Sequence, residues 1–197
     1  MAYHHGNLKE ALVDAALATA RLDGPDAVVL RAATRASGVS PNAAYRHFAD
    51  RDELLGAVAG RCMVALAHLI ETRLAQLSPG GDRAQLAWQR LRAAGRAYVE
   101  FALTEPGWFR TAFSAPGATA GSPRPEPDPF SILNAVLDEL VAAGALPAER
   151  RPGAEYPAWA AVHGIASLLV DGPLRELPAA ARDGVVDRVV EVVAGGL

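Results

Sequence analysis

Between residues 31 and 51 the chain gathers Arg31, Asn42, Tyr45, Arg46, His47 and Arg51. Guanidinium forks, a carboxamide, a phenol and an imidazole are donors and acceptors that suit base edges and phosphate oxygens. The same stretch holds four arginines against one aspartate, a local charge of +3 in a chain whose formal charge is −3. A basic patch on an acidic body fits DNA contact confined to one site better than wholesale coating of nucleic acid.

The residues between these side chains dictate how they are held. Ser37-Gly38-Val39 interrupts two short helical patterns, with Gly38 free to take the left-handed backbone of a tight turn. Val39 is the apolar plug between the two helices. Ser40 then reads as an N-cap and Pro41 as the first helical residue. At about 100° per residue, Ala44 and Phe48 share one side of the second helix, which must be buried. Asn42 and Arg46 point the opposite way, Ala43 lies between them in the chain, and Tyr45 and His47 flank. This is the pattern of a helix-turn-helix, whose second helix enters the DNA major groove. On the residues alone, a plain helical hairpin with a polar face satisfies it too.

With Leu30-Arg31, Gly38-Val39-Ser40, Tyr45-Arg46-His47-Phe48, Arg51 and Leu54-Leu55 at these spacings, the chain resembles the TetR family of bacterial transcriptional regulators. The likeness covers roughly the first 60 residues. Thr34, Ala33, Ala44 and Arg51 depart from the usual residue types, and no DNA-facing type is lost. The resemblance implies that Arg31 reads a base and that Ser40, His47 and Arg51 lie towards phosphates. It also implies a palindromic double-stranded operator, a homodimer and a small-molecule effector, with repression as the expected mode.

The chain has 197 residues, 51% of them hydrophobic, enough for one large or two small domains. A border after residue 53 is expected, with a DNA-binding domain at 1–53 and an effector and dimerisation domain at 54–197. Its one cysteine, Cys62, falls on an apolar stripe, so neither an internal disulfide nor a reactive thiol is expected. No signal peptide is legible and no apolar run reaches the ~18 residues of a membrane span. A cytoplasmic protein with no membrane partner is the expectation. His4 and His5 lack partners of metal-ligand spacing. No nucleophile motif, glycine-rich phosphate loop or metal cluster appears, so neither an enzyme nor a cofactor is expected.

Apolar spacing throughout is helical, and the chain reads as all-α with about nine helices. The first runs from a capping-box-like Asn7/Glu10 to Asp23-Gly24-Pro25. Asp50 and Glu53 open a long helix reaching about Leu77. Asp82 and Gln85 cap the next helix, residues 114–129 read as a loop, Asp128-Pro129 starts another helix, and the last begins at Pro178.

Beyond residue 82, aromatic residues stand among many alanines, a composition that leaves apolar cavities or simply packs a core. The candidate pocket residues are Trp88, Tyr98, Phe101, Trp108, Phe109, Phe113 and His163, and a hydrophobic effector would suit them. The Trp159…His163-Gly164 spacing is similar to that of a C-terminal subfamily of these regulators. His163 serves equally as a hydrogen-bonded core histidine. The last two helices carry small residues and a valine stripe, and the resemblance implies pairing of these helices between subunits. Ala161, Gly164, Leu168, Val186, Val189, Val190 and Val193 are the interface candidates. A DNA-binding dimer without any effector remains the alternative.

Overall fold

The computed structural model describes residues 8–78, 80–114 and 126–197. His4, His5 and Asn7, with most of the expected 114–129 loop, lie outside the described residues. Nine α-helices and two short 3-10 turns, with no strand, make up the described chain: α1 (Leu8–Asp23), α2 (Leu30–Ser37), α3 (Pro41–Ala44), α4 (Arg51–Ala75), α5 (Arg83–Thr104), α6 (Pro106–Ala112), α7 (Pro129–Ala142), α8 (Glu155–Val170) and α9 (Ala179–Gly196).

The chain folds into two compact units, one of Met1–Val64 with Glu105–Pro125, the other of Ala65–Thr104 with Glu126–Leu197. This division differs from the border expected after residue 53. Burial explains it: Leu54, Leu55, Val58 and Cys62 of α4 belong to the same apolar core as Leu12, Ala16, Val28, Ala33, Ala44 and Phe48. The start of α4 therefore belongs with the helices before it, and the chain changes units within that helix.

The first unit is sealed, with Leu12, Ala20, Val28, Ala44, Leu54 and Cys62 all at 0% exposure. Burial pushes the Cys62 thiol up to about 12, so it packs as a small apolar group. Trp108 and Phe109 lie on α6, which seats on the end of α1. The Trp108 indole donates to the Leu17 carbonyl at 2.9 Å, and Arg21 pairs with Glu105 while lying over the Trp108 ring. Gly107 lets α6 approach so closely that an added Cβ would lie 2.3 Å from the carbonyl oxygens of both Ala20 and Arg21.

In the second unit α5 is the central helix, packed by α7, α8 and α9. Its outer edge is pinned by Arg90–Glu139, Arg92–Glu191 and Arg96–Asp187 at 2.6, 2.7 and 2.8 Å. Exposed pairs of this kind set register more than they add stability. Arg151 ties α7 to α8 by bonding Asp138 at 2.6 Å and both Asn134 Oδ1 and Glu155 at 2.8 Å. Asp128 caps α7 as expected, its carboxylate accepting from the Ser131 N–H at 3.0 Å.

One expectation needs correction. By length and mean hydropathy, 1.5 over an 18-residue window, α4 does reach what a membrane span requires. Leu54, Val58, Leu66 and Ile70 on it are nonetheless packed inside, each at 3% exposure or less.

Candidate nucleic-acid interface and an apolar cavity

Gly38 adopts φ +67°, ending α2 in the left-handed turn expected of it. The Val39 N–H reaches back to the Thr34 carbonyl at 3.0 Å, closing the turn. Thr34 is itself buried, and its hydroxyl donates to the Arg31 carbonyl at 3.0 Å, which satisfies it inside the core. Ser37 donates to the Ala11 carbonyl at 3.2 Å, tying α2 to α1.

Ser40 holds the N-cap position with an extended backbone, but its side chain makes no capping bond. Its hydroxyl is therefore not spent on the helix, and the residue is exposed. Regular α-helix stops at Ala44, sooner than the expected run to Phe48. Turn bonds carry the chain on, with His47 and Phe48 N–H groups both bonded to the Ala44 carbonyl at 2.9 and 3.0 Å. The facing still holds. Ala44 and Phe48 are 0% and 1% exposed, and the Lys9 ammonium lies 5.4 Å from the centre of the Phe48 ring. Arg31, Asn42, Tyr45 and Arg46 are exposed, Tyr45 at 54%. Ala43 and His47 are half-buried beside them.

Arg51 is more committed than its sequence position suggested. Its guanidinium donates to the Pro25 carbonyl at 2.7 Å and has Asp52 and Asp26 carboxylates at 3.8 and 4.0 Å. It staples the first turn of α4 to the turn after α1. Asp50 and Glu53 form the expected capping pair: the Glu53 N–H donates to Asp50 at 2.9 Å, and the Ala49 N–H to Glu53 at 2.7 Å.

The second unit contains an apolar cavity of about 40 Å³. Tyr98, Leu91 and Gly95 of α5, Leu133 of α7, Trp159 and Val162 of α8, and Val190 and Val193 of α9 line it, with no charged side chain among its lining residues. Tyr98 is 2% exposed and shares a 2.8 Å hydrogen bond with Nδ1 of His163. Burial lowers the His163 pKa and raises that of Tyr98, so the pair is neutral at neutral pH.

Of the seven expected pocket residues, the structure brings Tyr98 to this cavity and bonds His163 to it. Trp88 and Phe101 sit on α5 without lining it. Trp108, Phe109 and Phe113 belong to the first unit, where the Phe109 and Phe113 rings meet at 5.3 Å. Composition marked these aromatics as cavity formers, but α6 docks on α1 and takes them away. Gly95 and Leu133 were missed, and Trp159 was noted only for its spacing to His163. A glycine in the middle of α5 was the available signal, since helix interiors disfavour it.

The expected interface set divides too. Val186 and Val190 are 7% and 4% exposed, turned inward within this chain, and Val193 lines the cavity. Ala161, Gly164 and Val189 are half-buried. Leu168 and Val192, the latter unforeseen, are 42% and 66% exposed. The α9 helix carries two valine stripes, and the one ending at Val192 faces out.

Comparison with known proteins accords with this architecture. The family described as "Tetracyclin repressor-like, C-terminal domain" matches residues 91–193, and "Bacterial regulatory proteins, tetR family" matches residues 12–58. No curated protein matches the chain. A protein of unknown function from Rhodococcus sp. RHA1 is 30% identical over 99% of this chain and 97% of its own, with a TM-score of 0.71. A TetR variant from Acinetobacter baumannii AYE, in complex with minocycline, is 18% identical over 95% of this chain and 94% of its own, with a TM-score of 0.66. PfmR from Thermus thermophilus, a TetR family regulator, is 18% identical over 94% of this chain and 98% of its own, with a TM-score of 0.61. At that identity the last two speak for the fold alone. The C-terminal match by itself spans more than half the residues, and with the helix-turn-helix match before it, the chain belongs to the TetR family of DNA-binding transcriptional regulators.

Proposed function

We propose that this regulator is a cytoplasmic homodimeric repressor that leaves a palindromic operator when a small apolar molecule fills the cavity of its second unit. The observation that carries this reading is the cavity itself: apolar, without a charged wall residue, and bordered by one neutral hydrogen-bonded pair, Tyr98 and His163. It lies in the unit that has none of the expected DNA-facing residues. A protein whose second unit served only to dimerise would gain stability by filling such a space.

Asn42 and Arg46 are the residues proposed to meet base edges, with Tyr45 beside them and Arg31 reading from α2. Ser40, His47 and Arg51 are assigned to phosphates. The outward face of α8 and α9, with Ala161, Gly164, Leu168, Val189 and Val192, supports pairing with a second copy, since small residues allow helices to approach closely. A two-fold dimer sets its reading helices about 34 Å apart, one turn of DNA.

A ligand shifts this balance only by its differential affinity for the free and DNA-bound states, and the coupling is reciprocal. The small size of the cavity favours a second reading, a DNA-binding dimer without an effector. Selection of bound sites from random DNA, followed by operator anisotropy with a panel of neutral apolar compounds, separates the two. Recovery of a palindrome bound by two chains, and release by a compound that binds the cavity, is the expected result. Compounds that occupy the cavity and leave operator affinity unchanged overturn the sensor reading.

A further inference from the structure

A file of aromatic rings runs from the cavity to the surface of the second unit. Tyr98, 2% exposed, meets Trp159 edge-on at 5.2 Å. Trp159 meets Phe130 edge-on at 5.5 Å, and Phe130 meets Tyr156 at 6.2 Å. Trp159 and Phe130 are half-buried, and Tyr156 is 66% exposed. Exposure rises along the file, which joins the first turn of α7 to the first turns of α8.

We propose that these rings are the doorway and inner wall of the effector site, and that its ligand is a neutral aromatic molecule bearing one hydrogen-bonding group. The proposal rests on the reading of the cavity as a regulatory site. Three observations carry it. First, the volume is far too small for the state seen here to be the occupied one. Sites for drug-sized ligands run to about 300–1,000 Å³, whereas this cavity holds about 40 Å³. A ligand must widen this space, and the half-buried Trp159 ring that lines it packs edge-on against half-buried Phe130. Edge contacts between rings are worth only about 0.5–1.5 kcal/mol each beyond area burial, and an incoming ring restores them.

Second, the wall holds no charge. An ion brought there would lose its hydration without a counter-ion, so charged ligands are rejected. Third, the inner end carries a polar pair rather than an apolar cap. Tyr98 and His163 already bond one another at 2.8 Å, and opening that bond towards a ligand hydroxyl, amine or carbonyl exchanges one hydrogen bond for another. A purely apolar molecule gains nothing from this pair.

Two probes with one aromatic frame test the class. N-phenyl-1-naphthylamine is neutral, and 8-anilino-1-naphthalenesulfonate carries a sulfonate on the same rings. The neutral probe is expected to saturate at one site per chain, at least about tenfold tighter than the sulfonate. Ala158→Leu, or Ala94→Val should the first variant lose helicity, fills the cavity and is expected to weaken the neutral probe by about tenfold or more. Equal affinity of the two probes, or indifference to both filling variants, overturns the class.

The doorway has its own readout. Tyr156→Ala, at the exposed end of the file, is expected to raise association and dissociation rates of the neutral probe together by about threefold or more, leaving Kd within about twofold. Unchanged rates overturn the doorway. Operator anisotropy, read in parallel, keeps the underlying reading separate. Probe behaviour as expected with operator affinity unmoved sinks regulation and leaves the site. Operator release that ignores the filling variants sinks the site and leaves regulation.

Discussion

Two glycines, one in each unit, stand at close helix contacts and differ in what an added carbon would meet. At Gly107 the neighbours are main-chain carbonyls of α1, 2.3 Å away. At Gly95 they are the methyl tips of Val190 and Val162, at 3.3 and 3.4 Å. Backbone cannot retreat without moving its helix, whereas valine methyls give by a few tenths of an ångström. The contrast extends to the cores. Around the helix-turn-helix, Leu12, Val28, Ala44 and Phe48 are sealed at 0–1% exposure, while the second unit keeps a cavity against Tyr98. On the proposed function, the unit that presents Asn42 and Arg46 to DNA would gain from having one arrangement only, and the unit that admits a ligand would gain from contacts that can yield.

The sharpest way to break this contrast is at Phe48, 1% exposed under the reading helix. Phe48→Ala is expected to destabilise the protein by about 3–5 kcal/mol, measured by urea unfolding, and to abolish DNA binding with it. Gly107→Ala should follow at about 1–3 kcal/mol, since α6 must part from α1. A Gly107→Ala protein as stable as the parent would mean that this contact yields like the one at Gly95.

Arg31→Ala and Arg51→Ala test the surface of the rigid unit. Arg31 is exposed, and its loss should leave the melting temperature unchanged. It should weaken operator by about 1–3 kcal/mol per half-site and relax preference at one base pair. Arg51→Ala should weaken all DNA sequences alike and flatten the salt dependence by about one counterion per subunit. Because Arg51 also bonds the Pro25 carbonyl at 2.7 Å, its loss should lower stability as well, by about 1 kcal/mol. Equal losses on operator and scrambled DNA for Arg31→Ala would move that residue to the phosphates. Gly95→Ala is a smaller change: the gain in helix propensity, about 1 kcal/mol, opposes a slight shift of Val190, for a net effect near zero.

The rigid unit was also the more legible in sequence, for the same reason. Its geometry follows from local signals, the Gly38 turn, the Ser40-Pro41 start and the Asp50/Glu53 pair, which act within a few residues. The second unit's site depends on which faces meet. Periodicity marks a helix face as apolar without saying what packs on it, so Val186 and Val190 read as an interface when they are core. Trp108 and Phe109 read as pocket because nothing local says that Gly107 sends α6 onto α1. Even Arg51, correctly placed at a helix start, gave no sign of the Pro25 carbonyl that holds it.

The smallest effect concerns His163. Burial disfavours its imidazolium, so its folded pKa lies below the ordinary value of about 6.5. The unfolded chain then binds the proton more readily, and stability is fully present above about pH 6.5 and lost as pH falls through the folded pKa. Glu100, held below the usual carboxylate range by its hydrogen bonds from Arg73, loses its contribution only in the carboxylate range, below about pH 4.3. The two windows are therefore separable. Melting temperatures at about pH 7.5 and about pH 5.5 should differ more in the parent than in His163→Gln, which keeps a partner for the Tyr98 hydroxyl without the titration. Identical drops would mean that the imidazole protonates freely beside Tyr98. That result would leave the Tyr98–His163 bond without the burial that keeps its imidazole neutral, and with it the neutral polar end assigned to the ligand site.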